Sequence, residues 1–192
     1  MKRELILAAA AAVALSACNM LPGQGSGPSL PPVQAGAQAP STLTPQVGVQ
    51  QAQVTAEVRQ QLIANIGQQL DQLTGNFAGG MAPPAGFTDQ INPMQPGTDH
   101  RFVMELAANS PYTFVGACDG DCTNVDIELI DMRTGGVVAS DMLPDDYPVV
   151  NFTAPAGGQY MVRTILQVCT TAPCFTGMRA LTQAPAAAGG AK

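Results

Sequence analysis

The chain has 192 residues, a formal net charge of −6, 20 glycines, 16 prolines and no tryptophan. That length holds one ordinary domain with appendages. The acid excess, with no basic patch, repels nucleic-acid phosphates and excludes nucleic acid as a partner; cations or a basic protein surface are the favoured ones.

Met1-Lys2-Arg3 gives a basic start, and Leu5 to Leu15 is an apolar run too short to span a bilayer as a helix. Leu15-Ser16-Ala17-Cys18 follows. This stretch resembles the lipobox of bacterial lipoproteins, in which an apolar residue and two small ones precede the lipidated cysteine. The resemblance implies a signal peptide over 1–17, cleavage after Ala17, and a diacylglyceryl thioether plus N-acylation (palmitate or a similar chain) on Cys18. Several acyl chains anchor far more firmly than one. Asn19 stands where Asp would signal inner-membrane retention, which implies outer-membrane delivery, facing the periplasm or the cell surface. Processing removes Lys2, Arg3 and Glu4, leaving six basic and thirteen acidic residues; ten of those acids lie between Asp99 and Asp146.

Residues 18–50 are rich in Pro and Gly and carry no charge. Such a segment buries too little apolar surface to offset its ordering entropy, so the composition predicts a disordered tether. From 51 to 75 the pattern changes. Val54, Val58, Leu62, Ile66, Leu70 and Leu73 recur at spacings of four and three, one face of an amphipathic helix, with Gly75 as a stop. The stripe either docks on the following domain or pairs with a second copy or another protein; spacing alone does not separate these. Residues 76–97 are Gly- and Pro-rich and read as a loop.

From Arg101 the period becomes two. Phe102, Met104 and Leu106 alternate with polar or smaller residues; Tyr112 to Cys118, Val125 to Ile130, Val137 to Ser140, Val149 to Thr153, Tyr160 to Val168 and Phe175 to Leu181 follow as strands. Asn109-Ser110, Gly135-Gly136 and Pro155 to Gly158 mark turns. The spacing predicts a mainly β domain over 98–182, an antiparallel sandwich of about seven to eight strands, ending in a disordered tail at 183–192.

The segments Tyr112 to Cys118, Val125 to Leu129, Val138 to Asp141, and Phe152-Thr153 followed by Gly158 to Val162 resemble the bacterial pre-peptidase C-terminal domain. That resemblance implies a jelly-roll-like sandwich with a binding or accessory role. This chain departs from the family pattern in carrying two cysteine pairs and no attached peptidase.

With Cys18 lipidated, Cys118, Cys122, Cys169 and Cys174 remain. An even number in an exported domain reads as disulfides. Local pairs, Cys118–Cys122 and Cys169–Cys174, each flank a turn and are favoured; crossed pairing stays open. A four-cysteine zinc site would need reduced thiols, and the spacings are not the CxxC of redox proteins. Asp119 and Asp121 flank Gly120, and Asp126 follows. A Ca²⁺ site built from Asp119, Asp121, Asp126 and Asp145 therefore stands beside the plainer reading of solvated turn aspartates.

The single histidine, His100, has no GxSxG serine to serve, and Ser110 and Ser140 are the domain's candidate serines. No Gly-rich phosphate loop leads into a helix. The expectation is a lipid-anchored, non-catalytic binding or accessory module for an envelope protein or glycan, able to self-associate through its helix. The alternatives are a calcium-stabilised structural module and a carboxylate-dependent hydrolase.

Overall fold

The computed structural model describes residues 25–183. The expected signal peptide, Cys18 and the tail from 184 onward lie outside the described residues.

One helix precedes most of the strands. Helix α1 spans Ala56–Phe77, with Thr55 as N-cap accepting a hydrogen bond from the Val58 N–H at 3.3 Å. The cap sets the start at Ala56, five residues later than the predicted 51, because an N-cap residue sits outside the helix it caps. Short strand β1 (Gln50–Gln51) lies before it, and β2 (Met81–Ala82) and β3 (Gln90–Met94) follow it. The predicted loop 76–97 thus contains two strands, which Pro83, Pro84 and Pro93 concealed at the sequence level.

The remaining strands are β4 (Thr98–Leu106), β5 (Pro111–Cys118), β6 (Cys122–Asp131), β7 (Gly136–Asp141), β8 (Val149–Thr153), β9 (Gly158–Cys169), β10 (Thr171–Ala172) and β11 (Cys174–Gln183). Apart from β10, which pairs only with β1, they form two antiparallel sheets. One runs β4-β9-β6-β7; the other runs β2-β11-β5-β8, with β3 also on β11. This is the expected mainly β sandwich preceded by a helix.

Alternation along each strand builds the layers. Phe114, Met178, Ala180 and Val150 of one sheet meet Ile127, Leu129, Tyr160 and Val162 of the other in the central core. The opposite side of the β11-β5 sheet presents Val115, Ala117, Phe175 and Leu181 to Ile66 and Leu70 of α1. The helix stripe therefore docks on its own domain. Gly177 makes this possible: a Cβ there would overlap Ile66 Cγ2. Arg179 clamps the helix, reaching Asp71 at 2.7 Å and Thr74 Oγ1 at 3.2 Å while forking onto Asp89.

The tether expectation fails for residues 25–50. This segment is a strap laid across the outer face of the β4-β9-β6-β7 sheet, opposite the helix. Ser26 adds a parallel bridge to His100 on the β4 edge, with its N–H on the Asp99 carbonyl at 2.7 Å. The chain crosses to the β6–β7 hairpin, where Gln34 N–H meets the Thr134 carbonyl at 2.8 Å and Val137 N–H meets the Gln38 carbonyl at 2.9 Å. It returns over Ser41 and ends with β1 paired in parallel to β10. Composition predicted disorder because it measures apolar burial. The strap is held instead by hydrogen bonds, which composition does not report.

Candidate functional site

The strap and the sheet beneath it enclose the most concentrated polar chemistry among the described residues. On β4, β9 and β6, the residues facing away from the central core are Asp99 and Arg101, Arg163, and Glu128. Register places Arg101 opposite Arg163, and Arg163 opposite Glu128. Asp99, Glu128 and Arg163 are all buried.

Arg163 is the hub. Its Nε donates to Asp99 Oδ2 and its Nη1 to Glu128 Oε2 at 2.7 Å. Nη1 also donates to the Ser41 carbonyl at 2.8 Å, and Glu128 Oε1 accepts the Ser41 N–H at 2.9 Å. The charged pair thus grips both backbone groups of one strap residue. Arg101 Nε lies 3.0 Å from Asp99 Oδ1. Two cations and two anions balance, as buried charges require. Gly25 sits directly on this cluster, and a Cβ there would overlap Asp99 Oδ1. The two strap arms bound an open cleft of about 760 Å³ floored by Asp99, Arg101 and Arg163, with Leu30, Pro31 and Leu43 on its walls.

The disulfides pair locally, Cys118 with Cys122 and Cys169 with Cys174. Cys122 and Cys169 are register partners on β6 and β9, so the two bridges lie side by side. With Met94, Val125, Leu166 and Ala172 they form a compact apolar cluster at one end of the sandwich.

The aspartates expected to share a calcium ion do not converge. Asp119 is buried; its Oδ2 accepts the Phe175 N–H at 2.6 Å and its Oδ1 the Asp121 N–H. Burial pushes its pKa up, against those backbone hydrogen bonds. Asp121 Oδ1 takes the Thr170 hydroxyl, and Asp145 Oδ1 closes its own turn onto Tyr147 N–H. Asp126 lies on β6 beside Val125, whose N–H bonds the Asp145 carbonyl at 3.0 Å; its Oδ2 is bonded to Gln167 and its Oδ1 is buried without a partner among the described residues. Burial raises its pKa to about 6; the Gln167 bond opposes this, and Asp141, Glu128 and Asp145 add to it. Among the described residues no group of three or more His, Cys, Asp or Glu side chains is placed to hold a metal ion. Each loop carboxylate is already bonded to nearby backbone or side-chain donors, which is what turn aspartates do.

His100 Nδ1 lies 2.9 Å from Ser26 Oγ, a serine the sequence did not suggest. Nε2 is buried without a hydrogen-bond partner among the described residues, and burial lowers the histidine pKa, so the ring is neutral at pH 7. A triad needs a carboxylate orienting the second ring nitrogen. Asp99, the neighbouring acid, instead serves Arg163 and Arg101. The Ser26–His100 bond fastens the strap.

The charge cluster escaped sequence reading because Asp126 and Glu128 alternate with Val125, Ile127 and Leu129 as a solvated strand face would. The one signal was Arg163, a cation between Val162 and Thr164 in an otherwise uncharged strand. Compared with known proteins, the chain matches no family model and no curated sequence.

Proposed function

We propose that this chain is a lipid-anchored envelope lipoprotein of the outer membrane, presenting a non-catalytic β-sandwich as a binding or accessory module akin to the pre-peptidase C-terminal domain. One observation carries the reading. Four of the five cysteines pair in buried disulfides, which leaves Cys18, directly after an apolar run and Leu-Ser-Ala, as the sole thiol to account for. Persistent structural disulfides belong to an oxidising compartment, and a lone cysteine at a signal-peptide end belongs to acylation.

The accessory role is supported by how the polar groups are used. Asp99, Glu128 and Arg163 hold the strap; Asp119 and Asp121 hold the disulfide-bearing end; Arg179 holds the helix. Of the acids in the β7–β8 connection, Asp146 is exposed and Asp145 half-buried, and the pair suits a basic surface on an envelope partner.

The test is expression in a bacterium that processes lipoproteins. Wild-type protein should fractionate with membranes, carry acyl mass on an N-terminal Cys18, and crosslink to a discrete envelope partner. Cys18→Ser should be soluble and unacylated. An intact Ser16-Ala17-Cys18 junction in the wild-type protein would sink the reading.

A further inference from the structure

The strap faces away from the helix, and three observations about it point the same way. The first is reach. Seven residue steps separate Cys18 from Gly25, which sits on the Asp99 cluster. At roughly 3.3–3.6 Å per residue the chain spans no more than about 25 Å. Stacking two sheets and a helix makes the domain roughly 30 Å deep from strap to helix. An anchor on Cys18 therefore holds the strap side near the bilayer and leaves too little chain to seat the helix side on it.

The second is charge. From Asn19 to Ala56 the sequence holds no Asp, Glu, Lys, Arg or His. The mature chain is otherwise acidic, with Glu57, Arg59 and Asp71 on the helix and Asp145 and Asp146 beyond β7. The charged cluster under the strap is neutral in sum, with Asp99, Glu128 and Arg163 buried and Arg101 half-buried. The exposed charges bordering the strap are one of each sign, Glu105 on β4 and Arg133 on the β6–β7 hairpin, so an anionic headgroup layer repels this face less than it repels the acidic β7–β8 loop.

The third is apolar exposure. Leu30, Val33 and Val47 stand out from the strap at 38%, 43% and 91% exposure. Small apolar groups on an uncharged surface partition into the interfacial region of a bilayer at little cost and with some gain.

We infer that the strap face of the β4-β9-β6-β7 sheet is a membrane-contacting surface. It seats Leu30, Val33 and Val47 in the lipid headgroup region and turns the helix and the acidic β7–β8 loop toward the aqueous space. This inference rests on Cys18 being acylated. It gives the module an orientation: a partner meets the helix side or the acidic loop, not the strap.

The experiment uses the full-length acylated protein in vesicles of phosphatidylethanolamine and phosphatidylglycerol. Single cysteines replace Val33, Val47 or Ile63 and carry an environment-sensitive fluorophore; lipids bearing a headgroup-level nitroxide act as quencher. Emission at 33 and 47 is expected to shift blue and be lost to the quencher, while emission at 63, exposed on α1, is retained. Acylated, vesicle-bound protein quenched at 63 and bright at 33 and 47 overturns the orientation and leaves the anchor standing. So does uniform brightness at all three. A chain with no acyl mass on Cys18 that stays in the supernatant overturns the anchor and the orientation together.

Discussion

Arg163 Nη1 donates to the backbone carbonyl of Ser41 at 2.8 Å, across 122 residues of chain. The same guanidinium neutralises Asp99 and Glu128 beneath the strap. Replacing it leaves buried Glu128 without a cation and Asp99 with Arg101 alone. Arg163→Met should cost about 3–5 kcal/mol of unfolding free energy and release the strap. Urea titration reads the first effect, and faster protease cutting between 27 and 40 reads the second. A variant that keeps both stability and strap protection would show that the cluster does not hold the segment.

Two glycines respond in opposite directions. A Cβ on Gly177 would strike Ile66 and come within 3.2 Å of Leu70, whereas Gly67, inside α1, has open space around it. Gly177→Ala should destabilise by about 1–3 kcal/mol through overpacking. Gly67→Ala should stabilise by about 0.5–1 kcal/mol through helix propensity. Thermal melts of the two variants should fall on either side of wild type; the same sign for both would mean the helix is not seated on β11 as described.

Asp126 confers a pH dependence whose sign follows from its raised pKa of about 6. Between the ordinary carboxylate range and pH 6 the folded chain keeps this proton and the unfolded chain loses it. Stability from this group therefore falls as pH rises through that window and levels above it. Asp119, also raised, acts with the same sign, so the comparison must isolate Asp126. Asp126→Asn should flatten the fall between pH 4 and 6 and exceed wild type at pH 7.5 in urea midpoint. Parallel curves for the two proteins would refute the assignment.

Proteolysis of the unreduced protein followed by mass spectrometry should recover Cys118 linked to Cys122 and Cys169 linked to Cys174. The register pairing of Cys122 with Cys169 makes a crossed bridge the natural competitor. Recovering that crossed species in quantity would overturn the local pairing. Removing either native bridge should cost about 1–3 kcal/mol on the loop-entropy account, small because each loop is short.

Asp119→Ala removes the acceptor of the Phe175 and Asp121 N–H groups and should cost about 1–3 kcal/mol. Melts of wild type with calcium and with a chelator should superpose. A rise of several degrees with calcium would restore a cation to these loops.

The sandwich was legible where burial alternates along a strand. Tyr112 and Phe114, Ile127 and Leu129, and Tyr160 and Val162 share faces as the period of two requires. Ile66 and Leu70 announced the helix seam, although only the structure showed that the partner was β5 and β11. The strap was not legible. Ser41, Gln46 and Gln34 are fixed by Glu128 and Arg163, by the Cys169 N–H, and by the Thr134 and Arg133 carbonyls, all distant in sequence. Hydrogen bonds of that kind leave no periodic trace in the segment they order. For the same reason Glu128, alternating with Ile127 and Leu129, has the pattern of a strand-face charge although it is buried.

The strap also fixes an order of events during synthesis. It is made before the strands it lies on, yet Ser41 waits for Glu128, 87 residues later, and Gln46 for Cys169, 123 residues later. Its docking surface does not exist until β6 and β9 have paired, and contacts of such long separation close late. Until then the segment is a slack thread. Once the sandwich closes, the thread is reeled in, and a long leash becomes a short one without any change in its covalent length.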